Sequence, residues 1–426
     1  MDSAIRISAP ELTSDKEFVE LHARTEIAGT AARFPSRLWF KVPRRFEAML
    51  SRDVDAFVVA LSSLASSLDR PIEVEAPVCE RLCVGLEEYW AIVSGWAPRR
   101  YHPIRLASRG TTSGGIPAGA AAAAFSGGVD SFFTLHRGLR SQAQRPPTHR
   151  IRHALLIHGF DIPLAERRTY DTAAAAYEEE LAKLGVELVR VETNVREFVP
   201  SANWEMGHGS ALCGTALTIA NGARRFFVPS SKSYSTLEPW GSDPLIDGLL
   251  STDRFQIIHD GARYTRFQKL AAMRDWECIR RLLRTCYEHR DGLRNCGRCQ
   301  NCRRTMMVLA ALGILDEFET FPAIASPRHF LTSHWETPHE RLFGRQAIAC
   351  AKDSGRDALL WAGRFAMVAS RLRQVGTTIK VGSRPLRRRL SARAQAWTFR
   401  ASPVSTPLAA APEFLPGGKN NVTSGG

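Results

Sequence analysis

The stretch AAAAAFSGGVDSFFTL, residues 120–135, decides how this sequence folds. It is apolar up to Phe125, turns on Ser126-Gly127-Gly128, and from Ser131 continues with the pattern of a helix. Two adjacent glycines let the backbone turn sharply and bring its N–H groups against an anion with no Cβ in the way. Ser126 and Ser131 add hydroxyl donors, and the helix that follows points its positive end at the same spot. Asp130 does not suit a bare phosphate loop, because like charges repel. Its presence implies a divalent cation, Mg2+, between carboxylate and phosphate. The Gly-Lys-Ser/Thr ending of a Walker A loop is absent, as is the Gly-x-Gly-x-x-Gly spacing of dinucleotide folds.

Outward from this loop the chain alternates strands and helices. Strands are expected over Ala120–Phe125, His153–His158, Val186–Glu192, Arg225–Val228 and Arg254–His259. Helices are expected from Ser131, over Thr169–Leu184 and near Ser210–Asn221. The Thr169–Leu184 helix is the clearest, with Tyr170, Ala174, Tyr177 and Leu181 on one face and Gly185 placed to cap its end. Such repeats predict an α/β fold, a Rossmann-like parallel sheet with helices on both faces, whose ligands bind beyond the carboxyl ends of the strands. The residues to inspect there include His158-Gly159-Phe160 and the long segment Ser230–Asp247, in which Lys232 is placed to stabilise a developing phosphate charge. His208 and Cys213 lie five apart without a third orienting residue, and read as packing at a helix start rather than as a nucleophile pair.

The Ser-Gly-Gly-x-Asp-Ser loop, Ser126–Ser131, resembles that of the PP-loop ATP pyrophosphatases, a superfamily of HUP-type Rossmann-like domains. The resemblance implies that Phe125–Ser131 bind ATP, that Asp130 and Ser131 belong to the catalytic set with Lys232, and that His158, Gly159 and Phe160 contact adenine. It also implies cleavage of ATP between its α and β phosphates, leaving an adenylated substrate and Mg-bound pyrophosphate.

Nine cysteines is an odd count. In a reducing compartment clustered cysteines are metal ligands more often than disulfides. Cys286 precedes Cys296-Gly297-Arg298-Cys299-Gln300-Asn301-Cys302, and two-residue spacings let thiolates converge on one ion around a tight knuckle. Four thiolates suit a closed tetrahedral Zn2+ site, with a [4Fe-4S] cluster as the rival. The surrounding Arg294, Arg298, Arg303 and Arg304 offset the charge of a tetrathiolate. One upstream cysteine followed by Cys-Gly-x-Cys-x-x-Cys is also the zinc pattern of the 7-cyano-7-deazaguanine synthases of queuosine synthesis, so residues 118–310 are most similar to that branch. It implies a ligase that uses ATP and ammonia or an amine on a small-molecule carboxylate or carbonyl. An ATP-dependent thiolation enzyme acting on tRNA or a metabolite is the alternative, and a nucleotide-binding component of a multi-protein modification or defence system is a third reading.

The rest of the 426 residues frames this core. Residues 1–30 are an N-terminal segment that mixes both signs of charge without the apolar core of a secretory signal, so a cytoplasmic protein is expected. Residues 31–107 read as a small α/β domain, with strands at Leu38–Val42, Ile72–Val78 and His102–Leu106 and helices at Phe57–Leu68 and Cys79–Trp96. Cys79 and Cys83 there read as core thiols. Ser108–Gly119 has the composition of a linker. The ATP-binding domain is placed at 118–275 and a helical zinc-binding segment at 276–325. A basic helical extension over 326–400 and a disordered tail over 401–426 complete the chain. The net charge is +14, from 57 Lys and Arg against 43 Asp and Glu. Ten of those cations, with no acid, lie between Ala358 and Arg400, which leaves the remainder near +4. The charge thus marks an appendage. Nucleic acid is possible there but not favoured over a solvated helix face, no membrane partner is expected, and a homodimer is possible.

Overall fold

The computed structural model describes residues 4–374, apart from 31–32, 116–118, 145, 289–291 and 325. The N-terminal part contributes strands β1 (Ile5–Ile7), β2 (Glu11–Ser14), β3 (Phe18–Ile27) and β4 (Arg37–Pro43), then helix α1 (Asp55–Leu68). It continues with β5 (Ile72–Val74), β6 (Val78–Cys79), α2 (Glu80–Trp96), β7 (Leu106–Ala107) and β8 (Thr111–Thr112). The βα repeats follow as β9 (Ala121–Ala124), α3 (Val129–Arg140), β10 (Ile151–His158), α4 (Arg167–Lys183), β11 (Glu187–Thr193), α5 (Val195–Phe198), α6 (Trp204–Leu217), β12 (Arg225–Pro229) and β13 (Gln256–Asp260). Helices α7 (Arg266–Met273), α8 (Glu277–Leu282), α9 (Gln300–Leu312) and α10 (Pro338–Asp353) come last, before a helix that starts at residue 357.

β13, β12, β9, β10 and β11 lie side by side and parallel, in that order. From the far edge this is strand order 3-2-1-4-5, so the chain reverses its direction of growth at β9 and β12, where a crevice opens at the carboxyl ends. Alternation along the strands supplies both cores. Ala122 and Ala124 share one buried cluster with Leu155, Val189 and residues of α1 and α6, while Ala121 and Ala123 share the other with Ala154, Leu188 and residues of α3 and α4. The alanine run, a weak strand former, is held by burial on both faces and not by propensity.

The N-terminal part differs most from its sequence reading. β4 adds antiparallel to β11, followed by β3, β1, β5 and β7, so that one eleven-stranded sheet runs through both regions. Asn194 staples the junction: its Oδ1 accepts from Trp39 N at 3.1 Å and its Nδ2 donates to Arg37 O at 2.9 Å. Met1–Leu372 accordingly form one compact unit, and the boundary expected at Ser108–Gly119 does not separate two domains. The segment 1–30, read only as an N-terminal segment, holds three strands, with β3 pairing antiparallel to both β1 and β2. The strand expected over Ile72–Val78 is broken into β5 and β6, and the one over His102–Leu106 shrinks to β7.

At the C-terminus, Trp361, Phe365, Val368 and Leu372 are exposed along one face of the last helix, beside Arg364 and Arg371. The extension expected over 326–400 thus begins inside the core, where Phe330, Trp335 and Phe343 are buried, and its last described turns carry exposed arginines beside an exposed apolar stripe. The rest of that extension and the tail over 401–426 lie outside the described residues. Among the described residues no helix is long and apolar enough to cross a membrane.

One buried acid marks the start of α1. Asp55 accepts a hydrogen bond from Cys79 N at 2.9 Å, and burial, seconded by Asp53 and Asp253, pushes its carboxyl up from 3.8 to about 7. Between those two values the folded chain keeps a proton that the unfolded chain has released, so stability falls as pH rises through that window and levels off above it. Asp55→Asn keeps an acceptor for Cys79 N without the buried charge. It is expected to raise stability at pH 8 by on the order of 2–3 kcal/mol and to flatten the slope from pH 4 to 7 in urea melts. An unchanged pH slope would contradict the assignment.

Candidate functional site

The crevice at the switch point is a cavity of about 800 Å3. Its floor is the loop between β9 and α3. Gly127 takes a left-handed φ of 74°, and a Cβ there would run into the Tyr177 hydroxyl. Gly128 precedes α3 in extended conformation with no side-chain cap, so the first amides of the helix are left without an internal acceptor. Ser126 N donates to Ser131 Oγ at 3.3 Å, Ser131 Oγ donates to Gly128 O at 3.0 Å, and Gly128 N lies 3.4 Å from Ser126 Oγ. The loop is therefore braced from within before any ligand arrives. Gly127→Ala meets both the backbone strain and the overlap with Tyr177, and is expected to cost about 2–4 kcal/mol in chemical denaturation. A loss below about 1 kcal/mol would show that Tyr177 yields easily.

Of the residues expected from the sequence to bind ATP or act on it, Ser126, Gly128, Val129, Asp130, Gly159 and Phe160 line the cavity. The others do different work. Phe125 is core, edge-on to Phe132 and Tyr177 at 5.0 Å each. Ser131 is spent on the loop's internal brace. His158 is fully buried, stacked on Tyr170 at 4.2 Å, with Nε2 3.0 Å from Pro163 O, so it closes the loop after β10. Gly159, at φ 106°, lies against Thr193 O where no Cβ would fit. Lys232 pairs with Glu238 at 2.9 Å and sits over the Trp240 ring at 4.0 Å.

Asp130 is the largest departure from expectation. Its Oδ2 accepts from Arg266 Nη2 at 2.6 Å and its Oδ1 from Lys269 Nζ at 2.8 Å. Burial works against ionisation, but the two cations outweigh it and hold the carboxyl far below the usual range. Lys269 is buried, also donates to Ser230 O, and has its own pKa lowered by that burial. The carboxylate expected to face Mg2+ is thus already neutralised by protein cations. As it stands, one carboxylate with both oxygens engaged does not make a Mg2+ site.

Both cations come from the first turn of α7, which the repeat pattern does not reach. The signal was present: Thr265 and Gln268 form a capping box, with Gln268 N donating to Thr265 Oγ1 at 3.3 Å and Thr265 N to Gln268 Oε1 at 2.9 Å. A Thr-x-x-Gln helix start after the last strand puts its next cations at the crevice. Arg284 and Arg304 add charge, and Arg284 N donates to Gly127 O at 2.8 Å, tying the loop to the segment that leads to Cys286. The opposite wall carries Phe160, Trp204, His208 and Trp240. Cys213 is fully buried and its thiol is pushed up by that burial, so it makes no nucleophile with His208.

The four clustered cysteines come together as their spacing predicts. The Sγ atoms of Cys286, Cys296, Cys299 and Cys302 all lie within 4.8 Å of one another, with Cys296 and Cys302 at 3.9 Å. Tetrahedral thiolates about 2.3 Å from zinc stand about 3.8 Å apart, so the donor set fits a metal ion such as zinc. Backbone amides already serve the sulfurs. Cys296 N and Glu288 N donate to Cys286 Sγ at 3.4 Å, and Cys299 N to Cys296 Sγ at 3.2 Å. The Cys302 thiol beside it brings the Cys299 thiol down to about 5, while Cys302 itself is pushed up. Cys286 also lines the cavity, which makes the metal knuckle part of its wall. The neighbouring arginines serve other partners: Arg303 donates to Arg298 O at 2.8 Å and Arg304 pairs with Glu340.

Compared with known proteins, the chain matches no protein-family model, no curated protein and no solved structure.

Proposed function

We propose that this chain is an ATP-dependent synthetase of the PP-loop, HUP-type fold that releases AMP and pyrophosphate and activates a carboxylate or carbonyl for attack by ammonia or an amine. The observation that carries the reading is the position of Ser126–Ser131. A loop with this sequence sits at the carboxyl end of the first parallel strand, opens α3, and has Arg266 and Arg284 beside it in the lining of one cavity. Uncapped amides at a helix start, with guanidinium groups nearby, suit a polyphosphate. Charge that develops on pyrophosphate as it leaves would be met by groups already in place. Lys269 and Arg266 reach that charge from Asp130, which holds them ready. Mg2+ enters in this reading as part of the MgATP substrate. The four-cysteine centre would hold zinc in a closed structural site, with no open position for chemistry.

Exchange of radiolabelled pyrophosphate into ATP, run with pools of carboxylic acids, tests the reading. Exchange that depends on one acid is expected, and its absence across broad pools would count against adenylation.

A further inference from the structure

The charged side chains around the cavity fall into two groups of opposite sign. Around the phosphate loop stand Arg266, Lys269, Arg284 and Arg304; Arg266 and Lys269 pair with Asp130, and Arg304 pairs with Glu340 with Glu336 in reach. At the far wall Asp161, Glu197 and Glu205 line the cavity, with Arg196 over Trp204 at 3.8 Å and Lys232, paired with Glu238, over Trp240 at 4.0 Å. A ligand beside the first group is favoured when anionic, and a ligand beside the second when cationic. The aromatic surface of Phe160, Trp204 and Trp240 suits a cation too, as Arg196 and Lys232 over those rings already show.

His208 stands in the middle of that wall, 5.5 Å from the Trp240 ring. Its Nδ1 lies 3.2 Å from Trp204 O and 3.0 Å from Glu205 O. Both partners are carbonyl acceptors, so Nδ1 carries the hydrogen and Nε2, on the opposite edge of the ring, carries a lone pair when the ring is neutral. Burial keeps the ring neutral, opposed by Asp247 and Asp161, the acids that face it. A neutral imidazole with a fixed tautomer among carboxylates is a proton acceptor in a place that attracts cations.

We propose that the far wall is a subsite for a primary ammonium group on an organic body, with His208 Nε2 as the atom that takes its proton. As a step in synthesis this rests on the adenylation reading; the binding does not. One ammonium proton passes to His208 Nε2. The freed lone pair forms the N–C bond at the adenylated carbon, the C–O bond to the phosphate breaks with its electron pair leaving on AMP, and the second nitrogen proton goes to solvent.

The test follows tryptophan fluorescence of the full chain during titration with n-butylammonium chloride, n-butanol and sodium butyrate. A saturable response to butylammonium is expected, with a much weaker one to the other two. His208→Phe keeps a ring against Trp240 and loses Nε2, and should weaken butylammonium at least about tenfold, the scale of one hydrogen bond to a charged group. Long-range proton–nitrogen spectra of the unmodified chain give a second readout, in which butylammonium should shift the Nε2 resonance of a Nδ1-protonated histidine. Equal response to butanol, unchanged binding in His208→Phe, or unmoved histidine nitrogens would each overturn the subsite. Those failures leave pyrophosphate exchange untouched, whereas failed exchange with intact ammonium binding removes the adenylation reading alone.

Discussion

Replacing Asp130 by alanine is expected to lower stability by about 3–5 kcal/mol and, under the proposed function, to abolish ATP turnover. The reason is its place between two cations. Removing the carboxylate leaves Lys269 buried without its counter-ion, and Arg266 loses its 2.6 Å partner. A loop aspartate serving only a metal would behave differently, because its loss would spare the fold. The double variant Asp130→Asn with Lys269→Met removes both the charge and its partner. It should recover much of the lost stability while turnover stays absent. Urea melts of Asp130→Asn, Lys269→Met and the double variant measure the coupling. Additive losses would show that the clamp contributes nothing as a unit.

Removing the metal is expected to have an effect as large. Cys302→Ser replaces a fully buried thiol at the start of α9, and the variant should no longer hold a metal ion such as zinc at the four-cysteine site. Structural zinc sites in small domains contribute on the order of 10 kcal/mol, so the segment from Cys286 to α9 should lose amide protection even if the sheet survives. The loss should also reach the phosphate loop, since Arg284 N holds Gly127 O two residues before Cys286. ATP affinity should fall at least about tenfold, as judged by calorimetry, because the loop's brace is released. Metal analysis of the unmodified chain should find one zinc per chain without iron or labile sulfide. A Cys302→Ser protein that melts like the parent would contradict a structural role.

Much of the parallel half is legible in the residues. The Gly-Gly turn, the Tyr177 helix face and the cysteine spacing each encode local geometry, and each element stands where its pattern puts it. The rest depends on contacts distant in sequence. Asp130 looks like a metal ligand until α7 brings Arg266 and Lys269 back from 136 and 139 residues away. Lys232 looks free until Glu238 and Trp240 fold over it. The N-terminal strands belong to the main sheet only because Asn194 and the edge of β11 accept β4, and no periodicity within residues 5–43 announces that partner. His208 reads as helix packing along the chain, and lies in the cavity wall because α6 runs past the crevice.

The proposed synthesis requires that ATP break between its α and β phosphates. Purified protein supplied with MgATP and an acid that supports pyrophosphate exchange, together with ammonium or a primary amine, should yield AMP and pyrophosphate in equal amounts by phosphorus NMR. ADP and inorganic phosphate as the products would contradict the account.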